Sequence, residues 1–191
     1  MNRRLLQIIA ISVVLVVLSA CSTSNPSALN QKLGEFTAVN QDGETVTKAD
    51  FEGKIWVASF FFTHCITVCP SLTANMALLQ QEAIQQGVDF ELVSFTVDPE
   101  KDKPEIIKAY LEKFDADFSQ WQALTGYSFA EIQELSQKSF KSPLQKEGGD
   151  SDQFIHGTSF YLIDRSGVIV DRFSGLDVPT DEIISAVKKM K

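Results

Sequence analysis

Apolar residues form two kinds of pattern along the chain, namely short unbroken runs and stripes at helical spacing. Ile55–Phe62 and Phe90–Val97 are runs with few polar residues. Runs of this kind are typical of parallel strands that are buried on both faces of a sheet. Between them, apolar side chains recur every three or four residues from Leu72 to Ala83, which predicts a helix that ends near Gly87. The pattern therefore predicts a β-α-β unit.

The flanking segments extend this unit into an α/β fold. An Asp42-Gly43 turn joins two short strands ahead of it, which predicts an N-terminal β-hairpin. Asp102 with Glu105, and Ser128 with Glu131, have the spacing of helix capping boxes. The later predicted elements are a polar loop, a second hairpin and a final helix, at Lys141–Gln153, Ser159–Phe173 and after Pro179. This order is that of a thioredoxin-like fold, a central mixed sheet flanked by helices.

The N-terminal segment has the features of an exported lipoprotein. Arg3 and Arg4 precede an apolar stretch that is short for a membrane span and typical of a secretory signal. Leu18-Ser19-Ala20-Cys21 resembles a bacterial lipobox, in which the cysteine is acylated. We predict a signal peptide at 1–20, a lipidated N-terminus with a flexible tether at 21–32, and one domain at 33–191 on the extracytoplasmic face of the cell membrane.

The mature chain predicted in this way is strongly acidic. Loss of Arg3 and Arg4 lowers the number of basic residues from 17 to 15, against 25 acidic residues, so the net charge is −10. A surface this acidic argues against nucleic acid as a partner. It is compatible with a cationic metal or a basic protein patch. With Cys21 taken by lipid, the remaining thiols are Cys65 and Cys69.

Cys65 and Cys69 stand where the first buried strand gives way to the predicted helix. A disulfide between them would close too small a loop to contribute much stability, so the pair indicates chemistry rather than a structural crosslink. Pro70 suits the first turn of a helix, and the positive end of the helix dipole lowers a thiol pKa. Thiolates at this position can form a reversible disulfide or hold a soft metal with a third ligand.

A histidine far downstream is the candidate third ligand. Thioredoxin-like reductases usually have Cys-x-x-Cys and a proline ahead of the first strand of the second hairpin. Here the cysteines are one residue further apart, and His156 stands ahead of that strand without a proline. Two thiolates and an imidazole form a soft donor set that suits Cu(I) and, with an added ligand, Cu(II).

Three stretches together resemble the Sco/SenC family, copper-binding thioredoxin-like proteins that assist maturation of cytochrome c oxidase. They are Phe62–Pro70 with both cysteines, Phe95–Glu105, and His156 leading into Phe160–Asp164. The resemblance covers roughly residues 36–189. The combination of the three stretches is highly specific, although each alone is a weak signal.

The resemblance implies a site and a set of partners. Cys65, Cys69 and His156 would be the ligands of one copper per domain, as Cu(I) or Cu(II), and the cysteines would also form a redox disulfide. The expected partners are the copper-containing subunit of cytochrome c oxidase, other copper donors or thiol reductants, and the membrane through the lipid anchor. The chain departs from many relatives at Ile155, where they have an acidic residue, so the orientation of the imidazole is not given by the resemblance.

Two further residues are candidates for a supporting role beside the ligands. His64 adjoins Cys65 and could complete a Cys₂His₂ zinc site. Adjacent residues rarely chelate one ion, so a solvent-facing or supporting position is favoured. Asp98 follows the second buried strand, at the edge of the sheet where α/β sites collect. It either orients or charge-balances the site, or it is a turn residue before Pro99.

Several functions share these residues. A metallochaperone would pass copper to the binuclear copper site of an oxidase subunit, whereas a thiol-disulfide reductase would keep the cysteines of that subunit reduced. His156 favours the first, since a pure reductase does not need it. A redox or copper sensor stays open. A thiol peroxidase is disfavoured because Thr63 lies two residues before Cys65, which does not give the Thr-x-x-Cys pattern.

Overall fold

The computed structural model describes residues 29–149 and 151–190, which form ten strands, four α-helices and two short 3₁₀ helices. The strands are β1 (Gln31–Lys32), β2 (Thr37–Val39), β3 (Thr45–Thr47), β4 (Trp56–Phe61), β5 (Glu91–Thr96), β6 (Trp121–Leu124), β7 (Leu144–Lys146), β8 (Phe154–His156), β9 (Ser159–Ile163) and β10 (Val168–Ser174). The α-helices are α1 (Cys69–Gln85), α2 (Pro104–Leu111), α3 (Phe129–Lys138) and α4 (Thr180–Lys189). The 3₁₀ helices are Lys48–Phe51 and Glu112–Phe114.

Six strands form one mixed sheet in the order β1-β10-β9-β4-β5-β6. The strands β4, β5 and β6 are parallel, and β9 runs antiparallel to both β4 and β10. Every side chain of β4 is buried, as its apolar run predicts. The two smaller sheets are the hairpin β2–β3 and the pair β7–β8. The predicted thioredoxin-like α/β fold and its N-terminal hairpin are confirmed.

Several local features differ from the sequence prediction. The strand β6 was not predicted, and β7 forms inside the segment Lys141–Gln153 that was predicted as a loop. The predicted capping box of Asp102 and Glu105 is wrong, because the residue that caps α2 is Lys103 and it makes no side-chain cap. The other predicted box is confirmed: the Glu131 N–H donates to Ser128 Oγ at 3.3 Å, and the Ser128 N–H donates to Glu131 Oε2 at 2.7 Å.

The core is rich in aromatic side chains that pack on both sides of the central strands. Phe60 of β4 meets Phe140 edge-on with ring centroids 5.1 Å apart, and Phe140 meets Tyr161 at 5.0 Å. Trp121 is fully buried, and its Nε1 donates a hydrogen bond to Ser94 Oγ at 3.0 Å. Packing of this density gives a rigid sheet. The loops at the ends of the strands are therefore held at fixed positions.

The N-terminal segment enters the fold at the edge of the sheet. Gln31 and Lys32, the last two residues of the predicted tether, pair with Ile169 and Val168 of β10. The predicted lipidation residue, Cys21, lies outside the described residues. Within 29–149 and 151–190, none of the helices combines the length and the apolar character that a bilayer-spanning segment needs.

Candidate metal and redox site

The site lies where the end of β4 meets the start of β9. Ala58 of β4 is paired with Tyr161 of β9, and the two strands are antiparallel. The chain that leaves β4 therefore comes next to the chain that leads into β9. The first of these segments contains both cysteines and the second contains His156, so the register of two strands brings together residues 87 positions apart.

Cys69 is the first residue of α1 and Pro70 the second, as the sequence predicts. Cys65 lies in the loop just before the helix, and the N–H of Cys69 donates to Cys65 Sγ at 3.4 Å. An N–H at the start of a helix has no partner within the helix, and it is free to stabilise a negative charge. Both cysteines are free thiols and both are buried, with 8% of Cys65 and 0% of Cys69 exposed.

The two thiols have opposite acidities. Burial opposes ionisation of Cys65, but hydrogen bonds, among them those from the Thr67 hydroxyl and the Cys69 N–H, outweigh it and lower its pKa to about 5. Burial, followed by the hydrogen bond with Cys65, raises the pKa of Cys69 well above its ordinary value. At neutral pH the pair therefore consists of a Cys65 thiolate and a Cys69 thiol.

His156 is the last residue of β8, where it pairs with Leu144 of β7. Its Nδ1 lies 2.9 Å from the carbonyl oxygen of Gly157, and its Nε2 lies 3.3 Å from Cys69 Sγ. A carbonyl oxygen can only accept a hydrogen bond, so Nδ1 has the proton. In the neutral imidazole, the lone pair is then on Nε2, which faces the sulfur. Ile155 has no carboxylate with which to orient the imidazole of His156. The carbonyl group of Gly157 orients it instead.

The three predicted ligands are thus in mutual contact, and their chemistry fits copper. Two sulfurs and an imidazole nitrogen are soft donors, and a ring nitrogen whose partner is fixed by a carbonyl is the usual arrangement of a metal-binding histidine. In the described part of the chain, no group of three or more His, Cys, Asp and Glu side chains is arranged as a metal cage. Copper would have to replace the Cys69–His156 hydrogen bond.

His64 and Asp98, the predicted supporting residues, lie beside this site and contact each other. His64 Nε2 is 3.4 Å from Asp98 Oδ2 and 3.2 Å from the carbonyl oxygen of Asp152. The ring of Phe62 separates the two histidines, with centroids 5.0 Å from His64 and 5.7 Å from His156. Among the described residues, His64 and Asp98 make no hydrogen bond or ion pair with the three donors. A direct role in orienting the donors stays a prediction.

Asp102 supports the site and was assigned to a helix cap by sequence reasoning. Its side chain is fully buried and accepts hydrogen bonds from the N–H of Thr63 at 3.1 Å, from Thr63 Oγ1 at 2.5 Å and from Thr96 Oγ1. Burial raises its pKa. Thr63 begins the loop that contains Cys65, so Asp102 fixes the start of that loop. No local signal could reveal this role, because Thr63 is 39 residues away.

The chain is similar to known proteins along most of its length. The profile of the SCO1/SenC family matches residues 24–191. The crystal structure of a SCO1/SenC family lipoprotein from Bacillus anthracis str. Ames is 46% identical, with a TM-score of 0.82 over 86% of this chain and 98% of that chain. BsSco, described with a disulfide switch and as a member of the Sco family of cytochrome c oxidase assembly proteins, is 40% identical, with a TM-score of 0.78 over 85% and 95% of the two chains. Bradyrhizobium japonicum ScoI with copper bound is 26% identical, with a TM-score of 0.70 over 84% and 99%.

Proposed function

We propose that this chain, which belongs to the SCO1/SenC family, holds one copper ion on Cys65, Cys69 and His156 and assists assembly of the binuclear copper centre of cytochrome c oxidase. The observation that supports this most strongly is the contact of Cys69 Sγ with His156 Nε2 at 3.3 Å, with the other ring nitrogen committed to a carbonyl. A thiol-disulfide reductase has no need of an imidazole prepared in this way.

The residues of the chain bind the metal, and copper is the cargo rather than a catalyst. The Cys65 thiolate is available at neutral pH, and copper displaces the proton of Cys69, since metal ligands must be deprotonated. Three protein donors leave copper able to accept a further ligand from a partner. The copper-bound relative from Bradyrhizobium japonicum and the oxidase assembly described for BsSco support the same role here.

A protein partner has to touch the site directly. Cys69 is fully buried and only 9% of His156 is exposed, so the donors are shielded from solvent and a partner that contacts them would assist transfer of copper. Ile66, which follows Cys65 and is 82% exposed, is the most exposed large apolar side chain of the described residues. Its position suits contact with the copper-containing subunit of the oxidase. Other copper donors or thiol reductants would approach the same loop.

Thiol reduction is the second candidate function, and the unequal acidities of the cysteines favour it. A low-pKa thiolate at Cys65 is the form that attacks a disulfide in a partner, and Cys69 is placed to resolve the mixed disulfide. The disulfide switch of BsSco supports this reading. A sensor of copper or redox state would use the same two cysteines, without a partner protein that it reduces or loads with copper.

We also propose that Cys21 is acylated and holds the domain at the outer face of the cytoplasmic membrane. The Leu18-Ser19-Ala20-Cys21 sequence supports this, and the Bacillus anthracis relative is described as a lipoprotein. Stable anchoring takes more than one lipid chain. A tethered domain meets a membrane-bound client at a raised local concentration. Cys21→Ser should release the protein or leave an unprocessed precursor, and normal processing with detergent partitioning would contradict the anchor.

A deletion strain tests the assembly role. We expect loss of activity of the oxidase that has a binuclear copper centre and normal activity of a quinol oxidase without one. Rescue by added copper would support delivery, and rescue by a small thiol reductant would support reduction. Complementation by His156→Ala would separate the two further, because the cysteine pair remains intact. Full activity of both oxidases in copper-limited medium would overturn the assembly role.

A further inference from the structure

Gly157 occupies a position that has no room for a side chain. A Cβ atom there would lie 2.1 Å from Ser142 Oγ, 3.4 Å from Ser142 Cβ and 3.5 Å from Tyr161 Oη. Its backbone is not in the left-handed region, unlike that of Gly149 at φ 73°. Glycine is therefore required here for space and not for backbone conformation. The carbonyl that accepts the Nδ1 proton of His156 belongs to this same residue.

Ser142 is held firmly against Gly157 by the end of α3. The N–H of Ser142 donates to the carbonyl oxygen of Ser136 at 3.0 Å, and Ser136 Oγ donates to the carbonyl oxygen of Ser142 at 3.1 Å. Only 2% of Ser142 is exposed, and its hydroxyl has no hydrogen-bond partner. The main chain of Ser142 cannot move away from Gly157 without breaking both hydrogen bonds to Ser136. The hydroxyl therefore stays beside Gly157 and limits the space there.

We propose that the lack of a side chain at Gly157 positions His156, because it lets Gly157 lie against Ser142 with its carbonyl at the ring, so that the proton stays on Nδ1 and Nε2 faces the sulfurs. Gly157 is a positioning residue and touches no metal itself, and Ser142 limits the size of the residue that fits there. The inference deepens the proposed function, because the imidazole prepared in this way is the proposed copper ligand. It also explains how the chain orients the ring with Ile155 beside it instead of an acidic residue.

Four variants of the full chain test the contact. Gly157→Ala places a methyl group against Ser142 Oγ, and Ser142→Ala removes that oxygen without filling the space. The double variant combines the two, so that the closest atom to the new methyl group is Ser142 Cβ at 3.4 Å, an ordinary contact. Gly148→Ala is the matched control, because Gly148 lies in the same connecting region, has no atom near its Cβ position and is not left-handed.

Two readouts separate this inference from the proposed function. The first is the protonation of the ring nitrogens in the reduced, copper-free protein, by nitrogen-15 NMR at a pH well above the usual imidazole pKa of about 6.5. The chain has 2 histidines, so His64 serves as an internal reference in every spectrum. The second readout is copper affinity by competition titration. The NMR result decides the inference even if the wild type binds no copper, an outcome that would remove the proposed function alone.

We expect Gly157→Ala to lose the protonated Nδ1 of His156 and to weaken copper binding on the order of 10- to 100-fold, the usual effect of removing a partner of a ligating histidine. Ser142→Ala and Gly148→Ala should keep the wild-type spectrum and affinity, and the double variant should recover most of what Gly157→Ala loses. A wild-type spectrum in Gly157→Ala, or a double variant as impaired as the single one, would overturn the proposal. An equal loss in Ser142→Ala would also overturn it, by showing that the hydroxyl and not the space matters.

Discussion

Cys65 and Cys69 differ in acidity because one lies just before the helix α1 and the other lies buried in its first turn. Cys65 lies ahead of the helix, where the N–H of Cys69 and the hydroxyl of Thr67 stabilise its thiolate. Cys69 is inside the first turn and completely buried, so its charged form is penalised. The sequence predicts a lowered pKa at a helix start but not this division between the two residues. The division depends on the depth of burial, which local sequence does not encode.

The pH dependence of alkylation tests the state of Cys65. In a reduced, metal-free Cys21→Ser chain, the rate of reaction with iodoacetamide should rise through a pH of about 5, because the thiolate forms above that pH, and should be nearly level at neutral pH. Cys65→Ser should react far more slowly at neutral pH, since the remaining Cys69 is a thiol. A midpoint near the ordinary thiol value of 9.0 in the Cys21→Ser chain would contradict the assignment.

The meeting of Cys65, Cys69 and His156 could be predicted from the sequence, whereas the contacts that support it could not. Cys65, Cys69 and His156 stand at element boundaries that hydrophobic patterns reveal, and their chemistry is distinctive. Gly157 and Asp102 act through atoms far away along the chain, such as Ser142 Oγ and Thr63 N. Asp102 even has the spacing of a cap residue, but burial among hydroxyl and N–H donors overrides that local preference.

The elements missed by the pattern are short and depend on distant partners. The strand β6 has four residues, too few for a clear period, and it is recruited by pairing with β5. The strand β7 has two exposed side chains among its three residues and forms because β8 pairs with it. This pairing matters for function, since β8 ends at His156. Strand pairing is a tertiary effect, and propensity alone does not reveal it.

Removal of the Asp102 side chain should destabilise the protein, because this carboxylate connects Thr96 at the end of β5 to Thr63 at the start of the cysteine loop. Asp102→Ala leaves the N–H and hydroxyl of Thr63 and the hydroxyl of Thr96 without their acceptor. Because each buried donor without a partner costs about 1–3 kcal/mol, we expect the free energy of unfolding to fall by about 2 kcal/mol or more. The measurement is urea denaturation of the reduced protein.

Glu105→Ala is the control for that experiment. Glu105 is the other member of the wrongly predicted capping box and is exposed. Exposed substitutions usually change stability by about 0.5 kcal/mol or less. If Asp102→Ala destabilises the protein no more than Glu105→Ala does, Asp102 does not fix the loop.

At the scale of the whole molecule, the sheet separates the site from the point where the chain enters. The N-terminal segment pairs with β10 at Ile169 and Val168, at the start of that strand. The strand then runs to Ser174, which pairs with Ser159, close to His156. The site therefore lies at the opposite end of β10 from the paired residues of β1. In the proposed lipoprotein, the loop that contains Cys65 would thus lie at the end of the sheet opposite to the entry of the chain.

Oxidation of Cys65 and Cys69 to a disulfide should release the bound copper from the protein. An added two-electron oxidant takes two electrons from the pair of thiolates and joins Cys65 Sγ to Cys69 Sγ, and sulfurs bonded to each other no longer act as thiolate ligands. We expect the oxidised protein to contain an intramolecular disulfide and little copper, and reduction to restore binding. The measurements are mass spectrometry after thiol alkylation and copper analysis of the same sample. A fully oxidised protein with stoichiometric copper would argue against shared use of the pair.

The most direct test of the central claim is X-ray absorption spectroscopy of the reduced, copper-loaded protein together with its Cys65→Ser and His156→Ala variants. We expect one copper per chain, with sulfur neighbours from Cys65 and Cys69 and an imidazole nitrogen from His156, the donors that meet in the structure. Cys65→Ser should lose a sulfur neighbour and tight binding, and His156→Ala should lose the imidazole signal while the sulfurs remain. Copper without sulfur neighbours, or an unchanged spectrum in His156→Ala, would contradict the assignment of this site.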